Sequence, residues 1–122
     1  MKKYEYTKTM LDTYVDNKPL FKFEKGLGYK ERIFTSTDTV GETFEFDVFI
    51  EKTSDSKYKW QATHAATGLL ILSAKTYAEC ADNVVMKAFD IYKRLTNPVA
   101  KPAFDMLRDK INYVPKDTIE KQ

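Results

Sequence analysis

His64 and Cys80 are the two side chains that could carry acid–base or nucleophilic chemistry, and neither has the sequence neighbours such work needs. His64 is the only histidine and Cys80 the only cysteine, so multi-histidine metal sites and the usual zinc ligand sets are out of reach. A lone imidazole could still serve as a general base. Strand alternation puts His64 on the face of Trp60, close to the strand's end, which predicts a core or edge histidine bonded to backbone. Cys80 sits one turn into a helix, near an N-terminus that lowers a thiol pKa. It also falls on that helix's inward stripe, between Tyr77 and Val84, which predicts a buried structural thiol.

Other catalytic patterns are missing. Gly26-Leu27-Gly28 lacks the third glycine and the following helix of a phosphate loop. The chain has no Gly-x-Ser-x-Gly elbow and no His-Glu-x-x-His helix. Glu45, Asp47 and Glu51 alternate along what should be a solvated strand face, where nothing separates two carboxyl pKa values into an acid and a base. The residues therefore predict no catalytic set, no metal ligand and no cofactor. A small enzyme using His64 or Cys80 is the weakest of the alternatives.

Two features point to binding instead. Phe49 falls on the otherwise polar face of its strand, beside Lys57, Lys59, Gln61 and Thr63. An aromatic ring among lysines on an open sheet can stack and hold a single strand of nucleic acid; cover by a second helix or protomer is the competing reading. Phe49, Lys57, Lys59 and Gln61 are thus the candidate binding residues. The second feature is surplus apolar surface on the strand at 69–72 and on the helix after it, which a partner or a homodimer contact would cover.

The elements that must position these residues are clearest in the middle of the chain. Phe44, Phe46, Val48 and Ile50 alternate on one strand face, and Tyr58, Trp60, Ala62 and His64 on the next. Ser54-Asp55-Ser56 reverses the chain between them, and Ala65-Ala66-Thr67-Gly68 reverses it before Leu69-Leu70-Ile71-Leu72-Ser73, apolar on both sides and suited to a central strand. Glu45, Asp47 and Glu51 then share a polar face with Lys57 and Lys59, and cross-strand ion pairs are expected. Thr76-Tyr77-Ala78-Glu79 matches a capping box opening a helix near 76–95 with a wide apolar stripe. Asn97-Pro98 and Pro102 complicate the start of a second helix near 99–113.

Upstream, Met10, Leu11, Tyr14 and Val15 have helical spacing, so a short N-terminal helix is expected, ended by Pro19. Leu20-Phe21-Lys22-Phe23 and Tyr29 to Thr35 read as two strands of a hairpin turned at Gly26-Leu27-Gly28. The fold class is α+β: an antiparallel sheet of about four to five strands, with the meander at 43–73, covered by the two helices. Residues 1–114 form one domain, and 115–122 a frayed polar tail.

Composition agrees with this. The 122 residues suit one core, and 43% hydrophobic with 31% charged residues is ordinary for a soluble fold. Eight Phe and eight Tyr can fill that core. No apolar run reaches the roughly 20 residues of a membrane span, no apolar segment follows Lys2 and Lys3, and one cysteine suits a reducing compartment. A cytoplasmic location is expected. With a net charge of only +2, a protein partner is favoured over nucleic acid. The expected function is a small non-enzymatic binding protein that docks on another macromolecule, of the phage or mobile-element accessory or inhibitor type. The rival is a nucleic-acid-binding accessory using the basic, aromatic sheet face.

Overall fold

The computed structural model describes residues 2–113 and 117–121, with the side chains of residues 120 and 121 excepted. The chain is α+β: an antiparallel meander ordered β1-β2-β3-β4-β5, three helices, and a short β6 that returns to pair with β3. The strands are β1 Lys3–Val15, β2 Lys18–Ser36, β3 Glu42–Lys52, β4 Trp60–His64, β5 Leu70–Ala74 and β6 Thr118–Lys121. The helices are α1 Tyr77–Met86, α2 Ala88–Leu95 and α3 Lys101–Ile111.

The central alternation places the main core where the sequence predicts it. Phe44, Phe46, Val48 and Ile50 are all buried, packed with Ala62, Ala74, Cys80, Val84, Ala88 and Tyr92 beneath α1 and α2. Each large side chain so buried contributes about 1.5–3 kcal/mol. Thr76 caps α1, its hydroxyl accepting from the Glu79 amide at 3.1 Å. The expected single helix at 76–95 is two, because the backbone leaves helical geometry at Lys87 (φ −95°, ψ 5°). The bend lets Ile91, Tyr92 and Leu95 turn onto the sheet. α3 is shorter than the expected 99–113: Pro102 occupies its first turn, and Asn112 closes it in the left-handed conformation.

The N-terminal third departs most from expectation. Residues 3–15 form a strand and not a helix, paired with β2 from Lys3↔Tyr29 to Val15↔Lys18. Asp16 and Asn17 make the two-residue turn, both with positive φ (51° and 63°), as a type I′ hairpin requires. Gly26-Leu27-Gly28 is no turn either. β2 runs straight through it, pairing with β1 before Tyr29 and with β3 after it.

The glycines serve a close approach. A Cβ on Gly26 would lie 2.8 Å from the Tyr6 ring, and one on Gly28 would lie 2.8 Å from the Ile50 carbonyl. Without those Cβ atoms, Tyr6 reaches over β2 and stacks on Phe49 (ring centroids 4.7 Å apart, 13° between planes). This seeds a second small core of Tyr6, Phe49 and Ala65, with Tyr113 against it, on the sheet face away from α1 and α2. The curl ends in a seam. Thr9 donates its amide to the Gly68 carbonyl (2.7 Å) and its hydroxyl to the Thr67 carbonyl (2.6 Å), joining β1 to the β4–β5 turn.

Two further expectations are corrected. The strand near 69–73 is not central: β5 is an edge strand, with Leu70 exposed. Within the expected tail, residues 115, 116 and 122 lie outside the described residues, but 118–121 form β6, paired with Glu42–Glu45 of β3. β6 and β4 therefore share one edge of β3, since β4 takes Val48–Lys52.

Candidate functional site

The gap between β4 and β6 collects the buried polar chemistry. His64 ends β4 on the core face, its Nδ1 2.7 Å from the Thr67 hydroxyl and its Nε2 2.9 Å from Asp117 Oδ2. Asp117 also accepts from Arg108 Nη2 of α3 at 2.6 Å. An ionised Asp117 accepts the hydrogen bond from Nε2, and the Thr67 hydroxyl is the hydrogen-bond partner of Nδ1. His64 is therefore bonded to side chains, where the sequence predicted backbone. The partner Asp117 lies 53 residues away in a segment whose sequence carries no signal of a buried carboxylate.

A hydroxyl, an imidazole and a carboxylate in series are also the parts of an activated nucleophile. Here the Thr67 side chain is 0% exposed. Three amides of the turn are already engaged: Ala65 donates to the Asp47 carbonyl, Gly68 to the His64 carbonyl, and Leu69 to the Thr67 hydroxyl. The adjoining cavity, about 140 Å3, is walled mainly by Leu69, Ile71, Ile91, Leu95 and Phe104. What this geometry does is tie α3 and the lead into β6 onto the β4–β5 turn. On the opposite sheet face, Asp47 is held in the same manner, accepting from Tyr113 Oη (2.8 Å) and Arg32 Nε (3.4 Å). Burial, then that bond to Asp47, raises the Tyr113 pKa well above a free phenol's.

Cys80 is buried beneath α1, where desolvation pushes its thiol up to about 11, and nearby Glu79 adds to the rise. The helix N-terminus does not prevail, because burial penalises the thiolate more. No group of three or more His, Cys, Asp or Glu side chains among the described residues could hold a metal ion. No helix among them is long and apolar enough to cross a membrane.

The structure does not bring the four candidate binding residues together. Phe49 is 3% exposed, covered by the chain's own Tyr6, so its ring is closed to stacking by a ligand. Lys57 and Lys59 lie in the loop before β4, which starts only at Trp60, and the expected cross-strand ion pairs with Glu45, Asp47 and Glu51 do not form. Glu51 instead binds Lys8 at 2.9 Å and the Leu27 amide at 2.6 Å. Gln61 is half-buried, its amide 3.4 Å from Glu51. Lysine and tyrosine do meet elsewhere: Lys2 and Lys30 both lie 5.3 Å from the Tyr4 ring centre, and Lys3 lies 5.7 Å from that of Tyr29.

The β1–β2 hairpin beyond Thr9 is an arm with no third strand beside it among the described residues, because β2 pairs with β3 only from Tyr29 onward. Met10, Leu11, Tyr14, Val15, Leu20 and Phe23 are all exposed on it, Tyr14 by 62% and Leu11 by 51%. Sequence reasoning missed this surface because the apolar spacing of 10–15 also fits a helix. The usable signal is the Asp16-Asn17 pair between two apolar runs, both residue types that tolerate positive φ.

No protein-family model matches this sequence, and neither the curated proteins nor the solved structures give a match to it.

Proposed function

We propose that the protein is a small non-enzymatic binding protein that docks on another protein through the β1–β2 arm. The observation that carries this reading is the arm's cluster of exposed Met, Leu, Tyr, Val and Phe side chains on a two-stranded ribbon. Isolated hairpins are marginally stable in water, and exposed apolar surface gathered on one marks it as an interaction site. An unpaired strand edge adds main-chain groups that a partner can use. The enclosure of Thr67, His64 and Cys80 argues against the enzyme alternative.

A second reading rests on Tyr4 with Lys2 and Lys30 over its ring, neither of which has a carboxylate partner among the described residues. A ring flanked by free ammonium groups suits a phosphate-bearing single strand. Titration with single-stranded DNA and RNA at two salt concentrations separates the two readings. Nucleic-acid binding weakens steeply with salt, whereas docking through an apolar arm does not. Strong, salt-sensitive binding that is lost on replacing Lys2 and Lys30 would reject the protein-docking reading.

A further inference from the structure

We infer that the arm takes a second copy of this chain, each hairpin tip seating in the cleft between the other's β2 and α3. This rests on the arm being a docking surface. The tip presents Tyr14 and Val15 between Asp12 and Asp16, all exposed. The cleft, about 180 Å3, is lined by Pro19, Leu20, Phe21 and Phe23 of β2 with Met106 and Lys110 of α3. Within the arm, the acids lie on β1 and at the turn, whereas the bases, Lys18 and Lys22, lie on β2. None of Asp12, Asp16, Lys18, Lys22 and Lys110 is in an ion pair among the described residues. The apolar knob thus carries Asp12 and Asp16, with Lys18 opposite Val15, and the apolar hollow carries Lys110 with Lys22 beside it in sequence.

Each chain carries both surfaces, so two arms laid antiparallel satisfy them reciprocally. The result is a closed twofold contact and not an open chain. The exposed area supports an occupant of that size. A folded monomer of 14.2 kDa exposes about 6,800 Å2, whereas this chain exposes 7,922 Å2. The excess, about 1,100 Å2, exceeds the roughly 800 Å2 per partner of a standard stable interface.

Sedimentation equilibrium of the full chain, from dilute to concentrated solution, tests this. The expected result is a reversible dimer. Tyr14→Ser and Lys110→Glu should each weaken it by at least about tenfold, without lowering the melting temperature measured at dilutions where the wild type is monomeric, since both positions are solvent-exposed. Adding Asp12→Lys to Lys110→Glu should recover part of the loss, which a merely damaged arm would not do. A monomer at every concentration overturns the inference, as does a dimer indifferent to both substitutions. A monomeric result leaves the docking reading standing, and that reading fails separately if Tyr14 contacts no protein in the native host.

Discussion

Gly68→Ala should cost far more than a single added methyl group suggests. Gly68 has φ +72°, and a Cβ there would lie 2.5 Å from the Thr9 hydroxyl, 2.8 Å from the Thr7 carbonyl and 2.9 Å from the Thr9 amide. Forcing alanine into the left-handed region costs about 1–2 kcal/mol. The Cβ must also push β1 away, breaking both hydrogen bonds of the Thr9 seam, each worth about 1 kcal/mol. Loosening β1 weakens the Tyr6–Phe49 stack, worth about 0.5–1.5 kcal/mol. The total is about 4 kcal/mol, a large share of the 5–15 kcal/mol typical of a domain. Urea unfolding gives the stability change, and amide exchange over residues 6–12 shows whether the seam is what opens. Thr9→Val, which removes only the hydroxyl bond, should cost about 1–3 kcal/mol. A Gly68→Ala protein within 1 kcal/mol of wild type, with unchanged exchange at Thr9, would refute the closed seam.

Asp117→Ala leaves Arg108 and His64 without their shared acceptor and should cost about 3–5 kcal/mol by urea unfolding. Alkali should destabilise the fold. Folded-state pKa values are raised for Cys80 (to about 11), Tyr6 (to about 12), Tyr77 and Tyr113, so their contribution is complete below the unfolded values near 9–10 and is lost as pH rises through the folded ones. Phenolate absorbance should therefore show that part of the tyrosine complement titrates only on unfolding; all eight titrating as free phenols would contradict this. Native Cys80 should resist thiol reagents at pH 8 and react once urea unfolds the chain, whereas rapid native labelling would reverse its assignment.

The fold was legible where one side of an element was buried and the other was not. Phe44 to Ile50 alternate cleanly because β3 carries a helix-covered core on that face. The second buried face was not legible, because Phe49 reads as an exposed exception until Tyr6 is placed over it. That placement depends on Gly26 and Gly28, which look like a turn in sequence yet serve a close approach inside a continuous strand. The arm was misread for a related reason. With neither face firmly packed, its apolar residues carry no strict period of two, and the irregular register between Leu11 and Thr13 disturbs it further. The His64 site lay beyond sequence reasoning because Asp117 and Arg108 join it through long-range packing. The four candidate binding residues are dispersed for two reasons: the strand after Ser56 begins only at Trp60, which leaves Lys57 and Lys59 in the loop, and Tyr6 covers Phe49.

The account stands on docking through the arm, and the most direct measurement is photo-crosslinking in the native host with a photoreactive phenylalanine at position 14. The account predicts a covalent adduct with a discrete protein, a second copy of this chain included, that is lost when Leu11 and Phe23 are replaced by serine. Adducts with nucleic acid alone, or none from position 14 while the chain remains active, would contradict it.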